Sequence, residues 1–356
     1  MTLDDLRGEI DAIDERILEL LTERARLAQK IGAIKQNTNR AYYVPEREKL
    51  IFEELKRKNP GVLPEKAIRS IYREIISATR ALERPVSVAY LGPRDTFSHM
   101  ATLRVFGSMA ECHPAATVSD IFTEVERKRV DYGVVPVETS MGGGVSDTLD
   151  RFVVSELKIV NEVMLHINHS LLSNSLLEEI TQVYSKEQPF VQCRNWLKAN
   201  LPNAELIETS STAEAARMVH DKPGAAAIAS ELAAETYGLD IVASSIEDAS
   251  HNFTRFFVIG RQAAKPTGHD KTAILFTIKD KPGALYSLLQ PMARRGINLS
   301  RIESRPSQKR AWEYVFFVDL LGHVNEPEVK EALDELAQEC SEFKILGSFP
   351  QGEVEE

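Results

Sequence analysis

The sequence predicts a multi-domain chain: an all-α helical segment, an α/β segment and an α+β unit of ferredoxin-like type. Three observations predict it. A seam of apolar residues spaced alternately three and four apart runs through the first 84 residues. Strand-like and helix-like stretches alternate from about residue 86 to residue 260. After the polar linker "RQAAKPTGHD", the order strand, helix, strand, strand, helix, strand follows the split βαβ arrangement. A chain of 356 residues has room for two or three domains. The expected boundaries are 1–84, 86–262 and 271–350.

Composition narrows the class. The hydrophobic fraction of 43% and charged fraction of 27% are ordinary for a globular protein. No run approaches the ~18 apolar residues of a membrane span. The start, "MTLDDLRGEI", lacks the basic and apolar regions of a signal peptide. Cys112, Cys193 and Cys340 lie far apart with no CxxC pair, which argues against disulfides and zinc and fits a reducing cytoplasm. A net charge of −10 disfavours nucleic acid and anionic membrane as partners.

In the first segment the seam is Leu3, Leu6, Ile10, Ile13, Ile17, Leu20, Arg24, Leu27, Ile31 and Ile34. One helix of that length spans ~48 Å and outreaches two shorter helices, so a partner chain is expected. A second helix opens at Pro45, a favoured first-turn residue, and "NPGVLPEK" separates it from a third running from about Pro64 to Glu83. Arg24 stands where the seam calls for Leu or Ile. A register-setting polar residue is the bland explanation, but an unpaired buried guanidinium is costly. Lys35 projects from nearly the same face about three turns on, and Arg7 and Arg47 add further cations. Inward cations need an anionic occupant, and a small dicarboxylate would serve.

This segment resembles the all-α chorismate mutase domain, a domain-swapped helical dimer, through "LRGEIDAIDERILELLTER", "IGAIK" and "VPEREKL". The resemblance implies that Arg24, Arg47 and the Arg7 of another subunit hold the two carboxylates of chorismate. It also implies Lys35 at the ether oxygen and Glu48 at the ring hydroxyl. A Claisen rearrangement needs only a compact conformer and fixed donors, each contributing roughly 3–4 kcal/mol when aimed at developing charge. Where some members have Gln beside the ether oxygen this chain has Glu83, which must be protonated to donate. The expected consequence is a mutase that gains activity toward mildly acidic pH.

In the middle segment, "HNFTRFFVIG" reads as a strand whose entrance carries Asn252, Thr254 and Arg255. Alone it would be an edge strand with a polar end. Four other fragments put small polar groups where strands give way to loops or helices: "YLGPRDTFSHMA", "VVPVETSMGGGV", "YSKEQPFVQC" and "SSTAEAA". Ligands of open α/β sheets bind at the carboxyl ends of strands, with helix N-termini offering N–H groups to anions. "MGGGV" lacks both nucleotide-loop patterns. The histidines show no metal spacing, and no orienting acid is marked for Ser98 and His99.

With "NFTRF", these fragments resemble prephenate dehydratase over nearly the whole segment. That implies two α/β lobes around a cleft, similar to a periplasmic binding protein. It also implies Thr254 as the proton donor to the departing hydroxyl. Thr96, Glu138, Thr139, Ser140, Ser185, Gln192, Ser211, Thr212, Asn252, Phe253 and Arg255 are the expected prephenate-binding set. Successive strand residues point oppositely, so Arg255 either binds a substrate carboxylate or braces the loop. Three positions depart from the family pattern: Thr139 for Asn, Asp95 for Gly and Lys186 for His. Thr139 lacks the amide's reach and second donor, which would weaken the dehydratase.

"KDKPGALYSLLQPMARRGINLSRIESRP" resembles the ACT domain of the same bifunctional enzymes. The resemblance implies a phenylalanine site built from Gly283, Ala284, Leu285, Glu303, Ser304 and Arg305, with an amino-acid carboxylate at the helix opened by Pro282 and Gly283. The whole reads as a cytoplasmic enzyme, a homodimer or homotetramer, with chorismate and prephenate as substrates, phenylalanine as inhibitor and no metal or organic cofactor. The rival reading is a non-catalytic aromatic-acid sensor, which needs neither the helical cations nor Thr254. A DNA-bound regulator fits the acidic charge less well.

Overall fold

The computed structural model describes residues 1–38, 41–140, 142–249, 251–278, 282–307 and 313–352. The chain divides into two compact units, Met1–Ser87 with Leu103–Glu111, and Val88–Thr102 with Cys112–Glu356.

The first unit is helical. Helix α1 (Leu3–Thr38) runs unbroken for 36 residues. Helix α2 (Pro45–Lys58) has proline in its first turn, and α3 (Glu65–Glu83) begins after Pro64. Proline suits both places because the first turn has no partner for its missing N–H. Helix α1 packs on α3 where Gly32 permits it, since a Cβ there would lie 2.9 Å from the Glu83 Cα. The seam residues Leu3, Leu6, Ile10, Ile13, Ile17, Leu20, Leu27, Ile31 and Ile34 remain 40–64% exposed. They are therefore not covered by their own chain. Among the described residues, no helix is long and apolar enough to cross a membrane.

After the helices the chain forms strand β1 (Ser87–Leu91), α4 (Phe97–Phe106), whose last turn counts with the first unit, β2 (Glu111–Ala115), α5 (Val118–Glu126), β3 (Tyr132–Thr139) and the short β4 (Gly143–Gly144). Helix α6 (Ser146–Val154) and β5 (Lys158–His166) complete the first lobe's outward path. The second lobe holds β6 (Ser170–Ser173), β7 (Gln182–Ser185), α7 (Glu187–Gln192), α8 (Arg194–Asn200) and β8 (Glu205–Glu208). It ends with α9 (Thr212–Val219), β9 (Ala225–Ala229), α10 (Glu231–Tyr237) and β10 (Asp240–Ala243). Strand β11 (Phe253–Gly260) then returns to the first lobe and lies between β3 and β5 in the order β2-β1-β3-β11-β5. The second sheet has the order β10-β6-β9-β7-β8. Two α/β lobes are thus joined by the outgoing chain after β5 and the incoming β11, as expected.

The third sheet is built from β12 (Asp270–Thr277), α11 (Ala284–Arg294), β13 (Leu299–Pro306), β14 (Tyr314–Leu321), α12 (Pro327–Glu339) and β15 (Glu342–Pro350). Its order, β13-β14-β12-β15, is that of a ferredoxin-like sandwich. The expected strand ends at Lys279 and Trp312 lie outside the described residues. Alternation along the strands covers both faces of this sheet. Ile274, Phe276, Val318 and Leu320 pack under the two helices with Leu288, Met292, Leu333 and Leu336. Ala273, Leu275, Phe317, Leu346 and Phe349 enter the same core as Phe122, Val135, Phe152 and Phe257 of the first lobe. The polar linker therefore does not set this sheet apart in water. Backbones come so close that a Cβ at Gly347 would lie 2.2 Å from the Ile159 carbonyl oxygen.

Candidate active sites

The helical unit encloses a cavity of about 340 Å³ between α1, α2 and α3. Leu27, Ala28, Ile31, Val44, Ile51 and Ile76 form its apolar wall. Arg24, Lys35, Arg47 and Arg80 line it as cations, and Glu48 and Glu83 as carboxylates. Lys35 Nζ lies 2.7 Å from Glu83 Oε2, and Arg80 Nη1 lies 2.5 Å from Glu48 Oε1. That pairing leaves Arg24 and Arg47 without a carboxylate partner among the described residues. Arg24 instead donates to the Ile75 carbonyl at 3.3 Å and to Thr79. Burial draws its guanidinium below the ordinary value, against the pull of Tyr72, Glu83 and Glu48. Burial likewise pushes the Glu48 carboxyl up, with Arg80 the main opposing influence.

Two of the expected residues, Glu83 and Arg7, are already engaged in ion pairs. Glu83 is an acceptor engaged by the Lys35 ammonium and not a free donor in the cavity. Arg7, paired with Asp4 in the first turn of α1, is 66% exposed. It stands 28 residues from Lys35 on the same helix, about 42 Å at 1.5 Å per residue, so only the Arg7 of another copy could reach this cavity. Sequence reasoning missed Tyr42, Thr79 and Arg80, which also line it. The spacing Ile76, Thr79/Arg80, Glu83 puts them on one face of α3 and was the available signal.

In the second unit, β11 brings its entrance residues against β3. Thr254 is the register partner of Thr139, and Arg255 that of Glu138. The Phe253 amide donates to Ser140 Oγ at 3.0 Å, and Ser140 Oγ donates to the His251 carbonyl at 2.9 Å. Thr139 Oγ1 accepts from the Gly142 amide at 2.9 Å, closing the β3–β4 turn. Asn252, 1% exposed, accepts from Gln192 Nε2 at 3.4 Å and donates to the Ile167 carbonyl at 3.3 Å. Gln192 Oε1 faces His169 Nε2 at 2.7 Å. Burial holds His169 below its ordinary pKa, so the neutral ring is favoured. His169 was not among the expected site residues, because scoring histidines by spacing cannot find a partner that comes from another element.

The remaining expected residues are engaged locally. Thr96 donates to the Leu91 and Pro93 carbonyls at 3.2 and 3.0 Å. Ser185, fully buried, donates to the Ile228 carbonyl at 2.8 Å. Ser211 caps α9 by accepting from the Glu214 amide at 3.0 Å, and Thr212 follows it. Asp95 has φ +66°, the left-handed conformation that Gly adopts without steric cost and Asp tolerates. Its carboxylate lies 3.4 Å from His99 Nδ1, an acid that the sequence did not mark. That nitrogen also accepts from the Asp95 amide at 3.2 Å, so Nδ1 of the buried His99 is engaged by Asp95.

Arg255 is engaged by carboxylates from three strands. Its Nε donates to Glu162 Oε2 at 2.7 Å, and its Nη1 lies 2.5 Å from Asp319 on β14 and 3.7 Å from Glu138. Burial alone would lower its pKa, but Asp319 and Glu162 outweigh burial and raise it, fixing the charge. Lys271 shares Glu162 at 2.8 Å. In the third sheet, Gly283 has φ +78° and precedes Ala284 and Leu285 at the start of α11. Glu303 pairs with Arg301, and Arg305 reaches Asp150 at 3.3 Å, while Ser304 faces outward.

Three family models match the chain in succession: chorismate mutase type II over residues 6–84, prephenate dehydratase over 88–264 and ACT domain over 272–338. The chain is 51% identical to the bifunctional chorismate mutase/prephenate dehydratase of Aquifex aeolicus, covering 99% of each. It is 44% identical to that of Stutzerimonas stutzeri, covering 97% of each. A solved prephenate dehydratase from Arthrobacter aurescens, in complex with L-Phe, superposes with a TM-score of 0.69 at 34% identity. That likeness covers 75% of this chain and 90% of the other.

Proposed function

The chain belongs to the family of bifunctional chorismate mutase/prephenate dehydratases, and from that premise we propose that the helical cavity rearranges chorismate while the cleft at β11 aromatises prephenate. The observation that carries the first assignment is the pair Arg24 and Arg47, two cations without carboxylates facing a substrate with two. Arg7 of a second copy completes the anion site, so the enzyme works as a homodimer or homotetramer, its exposed seam on α1 being the contact. Lys35 faces the ether oxygen and stabilises charge as the C–O bond breaks. Glu48, held by Arg80, takes the ring hydroxyl. The cavity's apolar wall holds the compact conformer.

In the cleft, Thr254 gives its proton to the ring hydroxyl as it leaves. The carboxylate departs as carbon dioxide, its bonding pair completes the aromatic ring, and the hydroxyl leaves as water. Thr254 is reprotonated from solvent. Asn252, Gln192, Ser140 and Thr139 frame the substrate, and Arg255 fixes the strand that carries Thr254. Phenylalanine, made one step beyond phenylpyruvate, binds the third sheet at Gly283–Leu285 and Glu303–Arg305 and inhibits. The domains are 1–84, 86–262 and 271–350, and the enzyme is cytoplasmic.

The test follows prephenate and phenylpyruvate separately after adding chorismate to wild type, Arg24→Ala and Thr254→Ala. Arg24→Ala is expected to lose mutase turnover but to convert added prephenate. Thr254→Ala is expected to accumulate prephenate. Formation of neither product by wild type would leave the sensor reading in place.

A further inference from the structure

Strand β13 turns Arg301, Glu303 and Arg305 to one face, the half-buried positions of an alternating pattern. That face lies on the β3–β4 hairpin. A Cβ on Gly144 would stand 2.2 Å from Glu303 Oε1, and Arg305 donates to the Ser146 carbonyl at 2.7 Å. Arg301, 7% exposed, reaches two carboxylates at once. One is Glu303, its close hydrogen-bond partner. The other is Glu138, whose Oε2 is 3.5 Å from Arg301 Nε. The neighbouring acids are occupied: Asp319 by Arg255, and Glu162 by Arg255 and Lys271. Glu138 is 39% exposed and lies one register position before Thr139, the strand partner of Thr254.

We infer that Arg301 is a switch arm that carries occupancy of the β13 effector strand to the cleft carboxylate Glu138. The inference rests on the reading of phenylalanine as effector and of Glu138 as a prephenate-binding group. The ammonium group of an amino acid seated at Glu303 competes with Arg301 for that carboxylate. A guanidinium as buried as Arg301 is costly to leave unpaired. With Asp319 and Glu162 closely paired, the acceptor within its reach is Glu138, which Arg255 approaches only to 3.7 Å. Arg301 then closes the 3.5 Å gap to a full hydrogen-bonded pair and draws Glu138 away from prephenate. Release of the amino acid restores the Arg301–Glu303 pair. The two arrangements differ in which carboxylate holds Arg301, which is the differential contact an effector needs in order to shift a population. Arg301 acts through Glu138, so it is a positioning residue.

The test uses the full-length protein and the variant Arg301→Gln. Phenylalanine binding is measured by calorimetry, and dehydratase kcat and KM are measured with and without phenylalanine. Wild type is expected to bind phenylalanine and to lose about tenfold in kcat/KM, within the usual range of coupling factors. Arg301→Gln is expected to keep a dissociation constant within about threefold of wild type and to lose less than about twofold in kcat/KM. Mutase activity serves as the check on folding. Arg301→Lys, which keeps the charge but spans only one carboxylate, is expected to show intermediate coupling and covers the case in which the Gln variant misfolds. Full wild-type inhibition in either variant overturns the switch, as does loss of phenylalanine binding in Arg301→Gln, which would make Arg301 part of the pocket. Absence of phenylalanine binding in wild type removes the effector reading itself, and the switch with it.

Discussion

Lys35 Nζ lies 2.7 Å from Glu83 Oε2, joining the last turn of α1 to the last turn of α3 with both side chains largely buried. The ammonium proposed to face the ether oxygen is thus held by the Glu83 carboxylate, which accepts from it. Lys35→Ala is expected to lower mutase kcat about 10²–10³-fold, the effect of deleting one preorganised donor, with dehydratase turnover of added prephenate unchanged. Glu83→Gln supplies a neutral N–H donor in the same volume. The exchange removes the charge that holds Lys35, and mutase kcat is expected to change while dehydratase turnover of added prephenate does not. An unchanged mutase kcat would remove Glu83 from the reaction.

Glu48 gives a stability prediction of definite sign. Its carboxyl is pushed up by burial more than Arg80 pulls it down, so the folded protein holds that proton at higher pH than the unfolded chain, whose Glu titrates near 4.3. The folded state then binds more protons, and stability falls as pH rises from about 4.3 through the folded value. The penalty is absent below the unfolded pKa and complete above the folded one. Urea denaturation should show Glu48→Gln gaining on wild type as pH rises across that window. A constant difference between the two would place the Glu48 charge at no cost.

The Arg255–Asp319 pair ties the strand of Thr254 to the third sheet. Both side chains are at most 5% exposed. Asp319→Asn removes one of the carboxylates that compensate a buried guanidinium and is expected to cost about 3 kcal/mol in chemical denaturation. The exposed pair Arg57–Glu54 on α2 provides the control, because Glu54→Gln should leave the midpoint unmoved. Equal effects would mean that the Arg255 cluster is solvated in solution.

Gly347 is a packing prediction. A methyl group there meets the Ile159 backbone, which cannot swing aside as a side chain would. Gly347→Ala is expected to destabilise by about 1–3 kcal/mol, read as a lower Tm, while mutase activity at 25 °C persists. An unchanged Tm would show that β5 and β15 can separate.

Much of the fold was legible because its signals are local. The three-and-four spacing from Leu3 to Ile34 marked α1, and Pro45 marked the start of α2. Thr254 and Thr139 could be named singly, but their pairing across β11 and β3 depends on a register that no single strand carries. Arg255 was left between two roles for the same reason. Its partners Glu162 and Asp319 lie 93 and 64 residues away, and only the assembled sheet brings their charges together. Arg80 was not named from the sequence, and its cationic contribution appears only once α2 brings Glu48 opposite.

The lower face of the third sheet, with Leu275, Phe317 and Phe349 seated beside Phe257, has a consequence for how this polypeptide can be cut. A fragment ending at the linker would strip one wall from the interior beneath β11, and the liberated sheet would carry a greasy underside into solvent. The third sheet is therefore a wall of the first lobe's interior and not a detachable accessory.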